Sequence, residues 1–300
     1  MLSEYSKYAI KYRDLSTETI ARHENYLNRF FQWLATSLTS DQISTLNPNI
    51  IHRFVTAYAH DYGPGSQRWM FGTLRSFLRF LKHHRYAVED FSYIVPVVRR
   101  AKLAQVPPIL DDESIELLLD RIDRSTSVGI RDYSIIQLLS TYGIRGIQTR
   151  CLKLQDINWR KSQIHFPAVK GGNPIVQYLT DEVGNSLLDY LRHSRPHNTS
   201  YCEVFLTCTK PYHPFRSSRA FSSIIARRLK RHAINVPAKA SRGSHIFRHA
   251  FASRMLRHGE SFKHIADMLG HRNLNSTMIY AKVDFQMLRE ATLEWPRVNS

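Results

Sequence analysis

The chain has 300 residues, of which 42 are lysine or arginine and 25 are aspartate or glutamate, giving a formal net charge of +17. This charge favours a polyanionic partner, nucleic acid first and an anionic membrane surface second, although many basic proteins are merely well solvated. The three cysteines are too few for a disulfide framework in a chain of this length and lack the spacing of a zinc site. We expect an intracellular protein, because there is neither a signal peptide nor an apolar run of membrane-spanning length.

Residues 1–95 predict a small helical bundle. Apolar residues recur at helical spacing in segments that begin near Ser16, at Asn47 and at Pro64. The third segment has a basic outward face, which in most proteins is only solvated, but which in a chain of this net charge is a candidate for contact with phosphates. The candidate DNA-binding residues here are Arg68, Arg75, Arg79 and Lys82.

Residues 96–110 predict a linker, because they hold three prolines and show no hydrophobic periodicity. The basic side chains of this segment are further candidates for contact with a nucleic-acid backbone: Arg99, Arg100 and Lys102.

Residues 111–300 predict a second domain that begins and ends with helices. Between residues 152 and 179 the pattern changes to short β-like segments, and Gly171-Gly172 indicates a tight turn with Lys170 at its edge. A later basic helix and the segment after it supply more candidate DNA-binding residues: Arg227, Arg228, Arg231 and Arg242. The predicted fold class is therefore mainly α with a small antiparallel β-sheet, in two domains.

The stretch from Ser244 to Asp284 holds polar residues of catalytic type on a regular scaffold. His245 and Arg248 are three residues apart, so they share one face of a predicted helix. His271 follows a short second helix at a turn, and a third helix is predicted to begin near Ser276 and to carry Tyr280.

The segments HIFRH, LGH and IY in this stretch resemble the C-terminal motifs of the tyrosine recombinases of the phage integrase and Xer type. In that family H-x-x-R is followed by L-G-H and then by a tyrosine nine positions after the second histidine. The family also has an arginine in a T-G-L-R-like turn, matched here by TYGIR, and a lysine in a β-hairpin. The matching positions are Arg145, Lys170, His245, Arg248, His271 and Tyr280.

The resemblance implies that Tyr280 attacks a DNA phosphodiester and forms a 3′-phosphotyrosyl link. Arg145 and Arg248 would stabilise the negative charge of the transition state, because a guanidinium stays charged and offers a fork of donors. His245 would act as general base toward the phenol.

His271 is expected to hydrogen-bond the scissile phosphate, and Lys170 to protonate the departing 5′ oxygen. Lys161 is the competing lysine, but it lies in the earlier turn of the hairpin region. The family commonly has an acidic residue three positions after the first arginine, whereas this chain has Gln148, so the bracing of Arg145 differs.

The resemblance further implies an N-terminal helical core-binding, SAM-like domain and double-stranded DNA with inverted-repeat core sites as partner. It implies a tetramer on two sites, a Holliday-junction intermediate, possible accessory DNA-bending proteins, no membrane and a cytoplasmic, nucleoid-associated location. No cofactor and no metal are expected.

The function so implied is site-specific recombination that integrates, excises or transposes a DNA element. The alternatives are type IB topoisomerase-like strand relaxation or resolution, and a non-catalytic architectural DNA-binding protein on the same scaffold.

Two further histidines in the stretch, His249 and His258, are interpreted as packing or surface residues. His245 and His249 have the spacing of two zinc ligands in H-E-x-x-H, but Ile246 stands in place of the glutamate, so a metal site is not expected.

Overall fold

The computed structural model describes residues 1–37, 46–98, 108–169, 172–238, 240, 242–273 and 276–280. The chain divides into two compact units, Met1–Ala101 and Lys102–Ser300, each with its own hydrophobic core.

The N-terminal unit is helical. Its helices are α1 (Leu2–Arg13), α2 (Thr17–Ser37), α3 (Pro48–Asp61) and α4 (Pro64–His83), followed by a 3-10 helix at Phe91–Ile94. The predicted start at Asn47 is confirmed, since the Asn47 side chain accepts a hydrogen bond from the Ile50 N–H. Helix α1 was not predicted, because few of its side chains, chiefly Tyr5 and Ala9, are apolar and buried.

The C-terminal unit combines seven described α-helices with a small sheet. The helices are α5 (Asp112–Asp120), α6 (Ser127–Tyr142), α7 (Gly146–Cys151), α8 (Asp181–His193), α9 (Arg219–Arg231), α10 (His245–Arg257) and α11 (Phe262–Met268). Two 3-10 helices lie at Leu154–Asp156 and Met278–Tyr280. Tyr280 therefore lies in a 3-10 turn, and the part of the predicted third helix that follows it lies outside the described residues.

Three short strands form an antiparallel sheet in the order β1 (Ile157–Asn158), β2 (Gln163–Phe166) and β3 (Ile175–Tyr178). Ile157 pairs with Ile164, and Phe166 pairs with Ile175, so the buried side chains of neighbouring strands face the same core. The predicted class, mainly α with a small antiparallel sheet, is confirmed.

Helix α6 is the centre of the C-terminal unit. Its side chains are buried on several faces, among them Ile135, Ile136, Leu138 and Leu139, because α6 packs against α8 on one side and α10 on another. This packing places the C-terminal end of α6 beside the middle of α10, where the motif residues lie.

Candidate active site

Arg248 holds three helices together from a buried position on α10. Its Nη1 donates to the carbonyl of Gly143 at 2.9 Å and its Nη2 to the carbonyl of Leu269 at 2.8 Å. These carbonyls stand at the C-terminal caps of α6 and α11, where backbone oxygens have no helical partner. The Arg248 guanidinium is therefore fixed in place by backbone that the fold itself orients.

His271 is oriented from both sides. Its Nε2 lies 2.7 Å from Arg248 Nη2, and its Nδ1 lies 2.7 Å from Thr277 Oγ1. An arginine only donates, so Nε2 must accept and Nδ1 must carry the proton, which goes to Thr277. Burial, followed by Arg248 and Arg145, lowers the pKa of His271 to about 3, so the ring is neutral.

Arg145 stands at the N-cap of α7 in a half-buried position, and Gln148 braces its backbone. The Gln148 Oε1 accepts from the Arg145 N–H at 3.0 Å, while Nε2 donates to the Pro167 carbonyl at 3.3 Å. Gln148 is only 1% exposed, and an ionised carboxylate could not make the second bond. The amide thus ties the Arg145 turn to the end of β2.

The segment that follows Lys170 in sequence reaches this turn. A Cβ atom on Gly172 would lie 2.9 Å from the Gly270 carbonyl and 3.6 Å from Arg145 Nη1, so the backbone approaches closely enough to require glycine. Lys170 itself lies outside the described residues.

Tyr280 is buried beside these side chains, with 2% of its surface exposed. It packs with Phe251, Ile265 and Leu269, which bring α10 and α11 together. Burial raises the pKa of Tyr280 to about 12, against the opposing effect of Arg248 and Arg145. The phenol is therefore protonated at neutral pH, and both guanidinium groups lie close enough to act on it.

The phenol oxygen of Tyr280 lies 3.0 Å from Nδ1 of His249, a residue that the sequence analysis had assigned to packing or surface. The His249 ring centroid is 5.5 Å from that of Tyr280 and 6.4 Å from that of His245, which is exposed. Two sequence features pointed to His249: it adjoins Arg248, and it lies one helical turn after His245.

The two site arginines have no carboxylate partner among the described residues. Burial lowers the pKa of Arg145, and burial followed by repulsion from Arg145 lowers the pKa of Arg248 to about 9. Both stay charged at neutral pH. Two cations held together without a counter-charge favour the binding of an anion between them.

The predicted DNA-binding residues differ in exposure, and most of those that the structure describes are exposed. The exposed ones are Arg68, Arg79, Lys82, Arg227, Arg231 and Arg242. Arg75 is half-buried, and its Nη1 donates to the carbonyls of Val95 and Pro96, which ties α4 to the start of the predicted linker. Arg99, Arg100 and Lys102 lie outside the described residues.

Arg228 corrects the sequence analysis. It is 5% exposed, and its Nε donates to a carboxylate oxygen of Asp132 at 2.8 Å. A buried guanidinium that is paired in this way is not available to a DNA backbone, so the role of Arg228 is to hold α9 against α6.

The residues that the structure describes contain no cluster of three or more histidine, cysteine, aspartate or glutamate side chains that could hold a metal ion. Within the same residues, none of the helices has both the length and the apolar character needed to cross a membrane.

The fold and the site together define a two-unit helical protein with a buried tyrosine set among arginines and histidines. Residues 108–287 match the phage integrase family, and residues 2–85 match the phage integrase N-terminal SAM-like domain. The chain belongs to the phage integrase family.

Curated relatives carry related names. The putative integrase/recombinase y4rA of Sinorhizobium fredii is 39% identical over 223 residues, which are 74% of this chain and 53% of that protein. The tyrosine recombinase XerD of Listeria innocua is 27% identical over 295 residues, covering 97% of this chain and 96% of XerD. The chain spans about half the length of y4rA and of y4rF, which is 52% covered.

Solved structures share the fold. The XerH site-specific recombinase bound to palindromic difH substrate, a post-cleavage complex, gives a TM-score of 0.73 at 18% identity, with 97% of this chain and 84% of that chain covered. A lambda integrase (75-356) dimer bound to a COC′ core site gives a TM-score of 0.66 at 14% identity, with 99% and 97% covered. At these identities the likeness concerns the fold alone.

Proposed function

We propose that this chain cuts and rejoins DNA at specific sites, with Tyr280 as the nucleophile. The observation that carries the proposal is the convergence of the Tyr280 phenol with two charged guanidinium groups, Arg145 and Arg248, that lack a carboxylate partner among the described residues. A phosphodiester is an anion that gains further negative charge as it is attacked, so it fits this pocket. The names of the relatives, recombinase and integrase/recombinase, agree with the proposal.

In the proposed reaction the Tyr280 oxygen forms a bond to phosphorus, and the bond from phosphorus to the 5′ oxygen breaks. The product is a 3′-phosphotyrosyl link and a free 5′ hydroxyl, and a second 5′ hydroxyl reverses the step to rejoin a strand. A phenol suits both directions, because its pKa of about 10 in water makes it a better leaving group than an alcohol.

The other motif residues assist this displacement. Arg145 and Arg248 stabilise the charge on the non-bridging oxygens, and each such donor is typically worth about 3 to 4 kcal/mol. The motif assigns the role of general base to His245, and Lys170 protonates the departing 5′ oxygen. The assignment of Lys170 agrees with the position of Gly172, two residues further along, whose backbone approaches Arg145. His271, whose Nε2 now accepts from Arg248, would donate to a phosphate oxygen once Nε2 carries a proton, which the negative charge of the bound phosphate favours.

The proposed partner is double-stranded DNA with inverted-repeat core sites. The N-terminal unit would act as the core-binding domain, and the predicted linker 96–110 would follow the sugar-phosphate backbone of the DNA. We propose assembly into a tetramer on two sites in the cytoplasm; a lambda integrase tetramer on a Holliday junction has a TM-score of 0.66 to this chain at 14% identity.

The test is a search for covalent protein–DNA adducts on DNA that flanks the gene, with a nick near the cleavage point so that the released fragment escapes. Tyr280→Phe should abolish the adduct, because the substitution removes only the attacking oxygen. Tyr178→Phe, which changes an exposed tyrosine of β3, is the matched control and should keep it.

Three results would contradict the proposal. Tight binding without any adduct would favour an architectural protein. Relaxation of supercoils without recombinant products would favour a topoisomerase-like enzyme. An adduct that persists in Tyr280→Phe would place the nucleophile elsewhere.

A further inference from the structure

His249 is the side chain that contacts the proposed attacking atom. It lies on α10 directly after Arg248, and its Nδ1 is 3.0 Å from the Tyr280 oxygen. The two rings stand at 60° to each other with centroids 5.5 Å apart, so the contact runs edge-on through the hydrogen bond and not through ring stacking.

The resting pair has its proton on the tyrosine. Burial raises the pKa of Tyr280 to about 12, while burial, followed by the charges of His245 and Arg248, lowers the pKa of His249 to about 4. A neutral imidazole with its hydrogen on Nε2 leaves Nδ1 as the acceptor, and the phenol then donates to it.

We propose that His249 is a catalytic residue: it holds the Tyr280 hydroxyl before cleavage and is the first group to receive its proton during attack. This inference rests on the proposed function, since it assigns a proton acceptor to the same nucleophile. His245, whose ring lies 6.4 Å from that of His249, is then the next histidine outward and not the direct acceptor.

A lone pair of the Tyr280 oxygen forms the bond to phosphorus, and the phenolic proton passes to Nδ1 of His249, which becomes an imidazolium. The bond from phosphorus to the 5′ oxygen breaks, and that oxygen takes a proton from Lys170. On rejoining, the 5′ hydroxyl returns its proton to Lys170 and His249 returns its proton to the phenol oxygen.

Binding of DNA favours the transfer of the proton from Tyr280 to His249. A phosphate bound by Arg145 and Arg248 brings negative charge into the pocket and offsets the positive field of Arg248 that disfavours a charged His249. At the same time, the oxygen that bonds to phosphorus becomes far more acidic than a free phenol. Without DNA neither change occurs, so the tyrosine stays protonated and buried.

The experiment measures single-turnover adduct formation on the nicked substrate for His249→Gln and His249→Ala. Glutamine keeps a hydrogen-bond acceptor near the phenol but cannot take up a proton, so both variants should lose cleavage by about 10²-fold or more, the typical worth of a general base. His258→Gln, at an exposed histidine that caps α10, is the matched control and should cleave at the wild-type rate. DNA binding should be unchanged in all three.

A substrate with sulfur in place of the bridging 5′ oxygen distinguishes the residue that protonates the leaving group from the residue that takes the proton of the phenol. A thiolate leaves without a proton, since thiols have a pKa of about 8.5. The sulfur substrate should therefore rescue Lys170→Ala but not His249→Gln. Nitrogen-15 NMR of the histidines in Tyr280→Phe should show a change at His249 Nδ1, a readout that is independent of activity.

Three outcomes would overturn the inference while leaving the proposed function standing. One is wild-type cleavage by His249→Gln alongside a loss in His245→Gln. Another is rescue of His249→Gln by the sulfur substrate, which would place the residue at the leaving group. The third is a proton on Nδ1 of His249 in the resting protein. Loss of the adduct in Tyr280→Phe but not in His249→Gln supports the proposed function and contradicts the role of His249, so the two failures are distinguishable.

Discussion

Arginines surround two buried polar centres in the C-terminal unit, and the two centres differ in charge balance. At the first, the fully buried Asp132 lies 2.7 Å from Arg131 and 2.8 Å from Arg228, with Arg227 at 3.7 Å. At the second, Arg145 and Arg248 converge on Tyr280, and no carboxylate of the described residues pairs with them.

The comparison separates structural from functional arginines. A buried guanidinium paired with a carboxylate satisfies its charge inside the protein and holds two helices together, here α6 and α9. A buried guanidinium that has only backbone carbonyls and a neutral histidine as partners, as Arg248 has, keeps an excess of positive charge. Such a centre favours the binding of an anion.

Removing the carboxylate of the first centre tests its structural role. Asp132→Ala should lower the free energy of unfolding by about 3 to 5 kcal/mol, because it leaves Arg131 and Arg228 buried without a counter-charge. Urea denaturation measures this, and Asp120→Ala, at an exposed acid on α5, is the control. Stability equal to that of the control would show that the Asp132 centre does not hold the unit together.

Neutralising an arginine of the second centre should lower the cleavage rate more than the stability, the reverse of what we expect for Asp132→Ala. Arg248→Met and Arg145→Met should each slow adduct formation by about 10²- to 10³-fold, because each removes a fixed charge from the transition state. The free energy of unfolding should change less than in Asp132→Ala, since relief of buried positive charge offsets the lost hydrogen bonds. Arg192→Met, at an exposed arginine of α8, is the control for single-turnover cleavage. An unchanged rate in either site variant would mean that the unpaired charge serves some other anion.

Much of the site could be predicted from the sequence, because its residues follow fixed spacings on helices and turns. Arg248 and His271 meet as the motif implies, and Tyr280 lies close enough to both arginines for them to act on its pKa. The contact between His249 and Tyr280 could not be predicted, since it joins residues 31 apart and depends on how α10 packs against the turn at Met278–Tyr280.

The sequence indicates by helical spacing that Arg228 is buried, but its charge outweighed this signal in the prediction. Phe221, Ile224, Ile225 and Leu229 define the buried face of α9, and residue 228 falls on that face by helical spacing. Its charge favoured the prediction of an exposed side chain, because the sequence does not reveal that Asp132, 96 residues earlier, is buried beside it. Gln148 is similar: only the fold shows that its amide replaces an acid by bonding to both Arg145 and Pro167.

The smallest expected effect concerns Thr277, whose hydroxyl sets the tautomer of His271 at the second centre. Thr277 is fully buried, and its Oγ1 accepts the Nδ1 proton of His271, which leaves Nε2 to face Arg248. Thr277→Val keeps the shape but removes the acceptor, so His271 either loses a hydrogen bond or moves its proton to Nε2 and opposes the Arg248 donor. An unsatisfied buried polar group costs about 1 to 3 kcal/mol.

If that energy falls on the cleavage step, Thr277→Val should slow adduct formation by about 5- to 160-fold, because each 1.36 kcal/mol corresponds to a factor of ten. Thr277→Ser restores the hydroxyl and should recover most of the rate, whereas Thr209→Val, at an exposed threonine, should have none of this effect. Nitrogen-15 NMR of His271 reports the tautomer directly. If Thr277→Val cleaves at the wild-type rate while the proton leaves Nδ1, then His271 acts through its position at Arg248 and not through its tautomer.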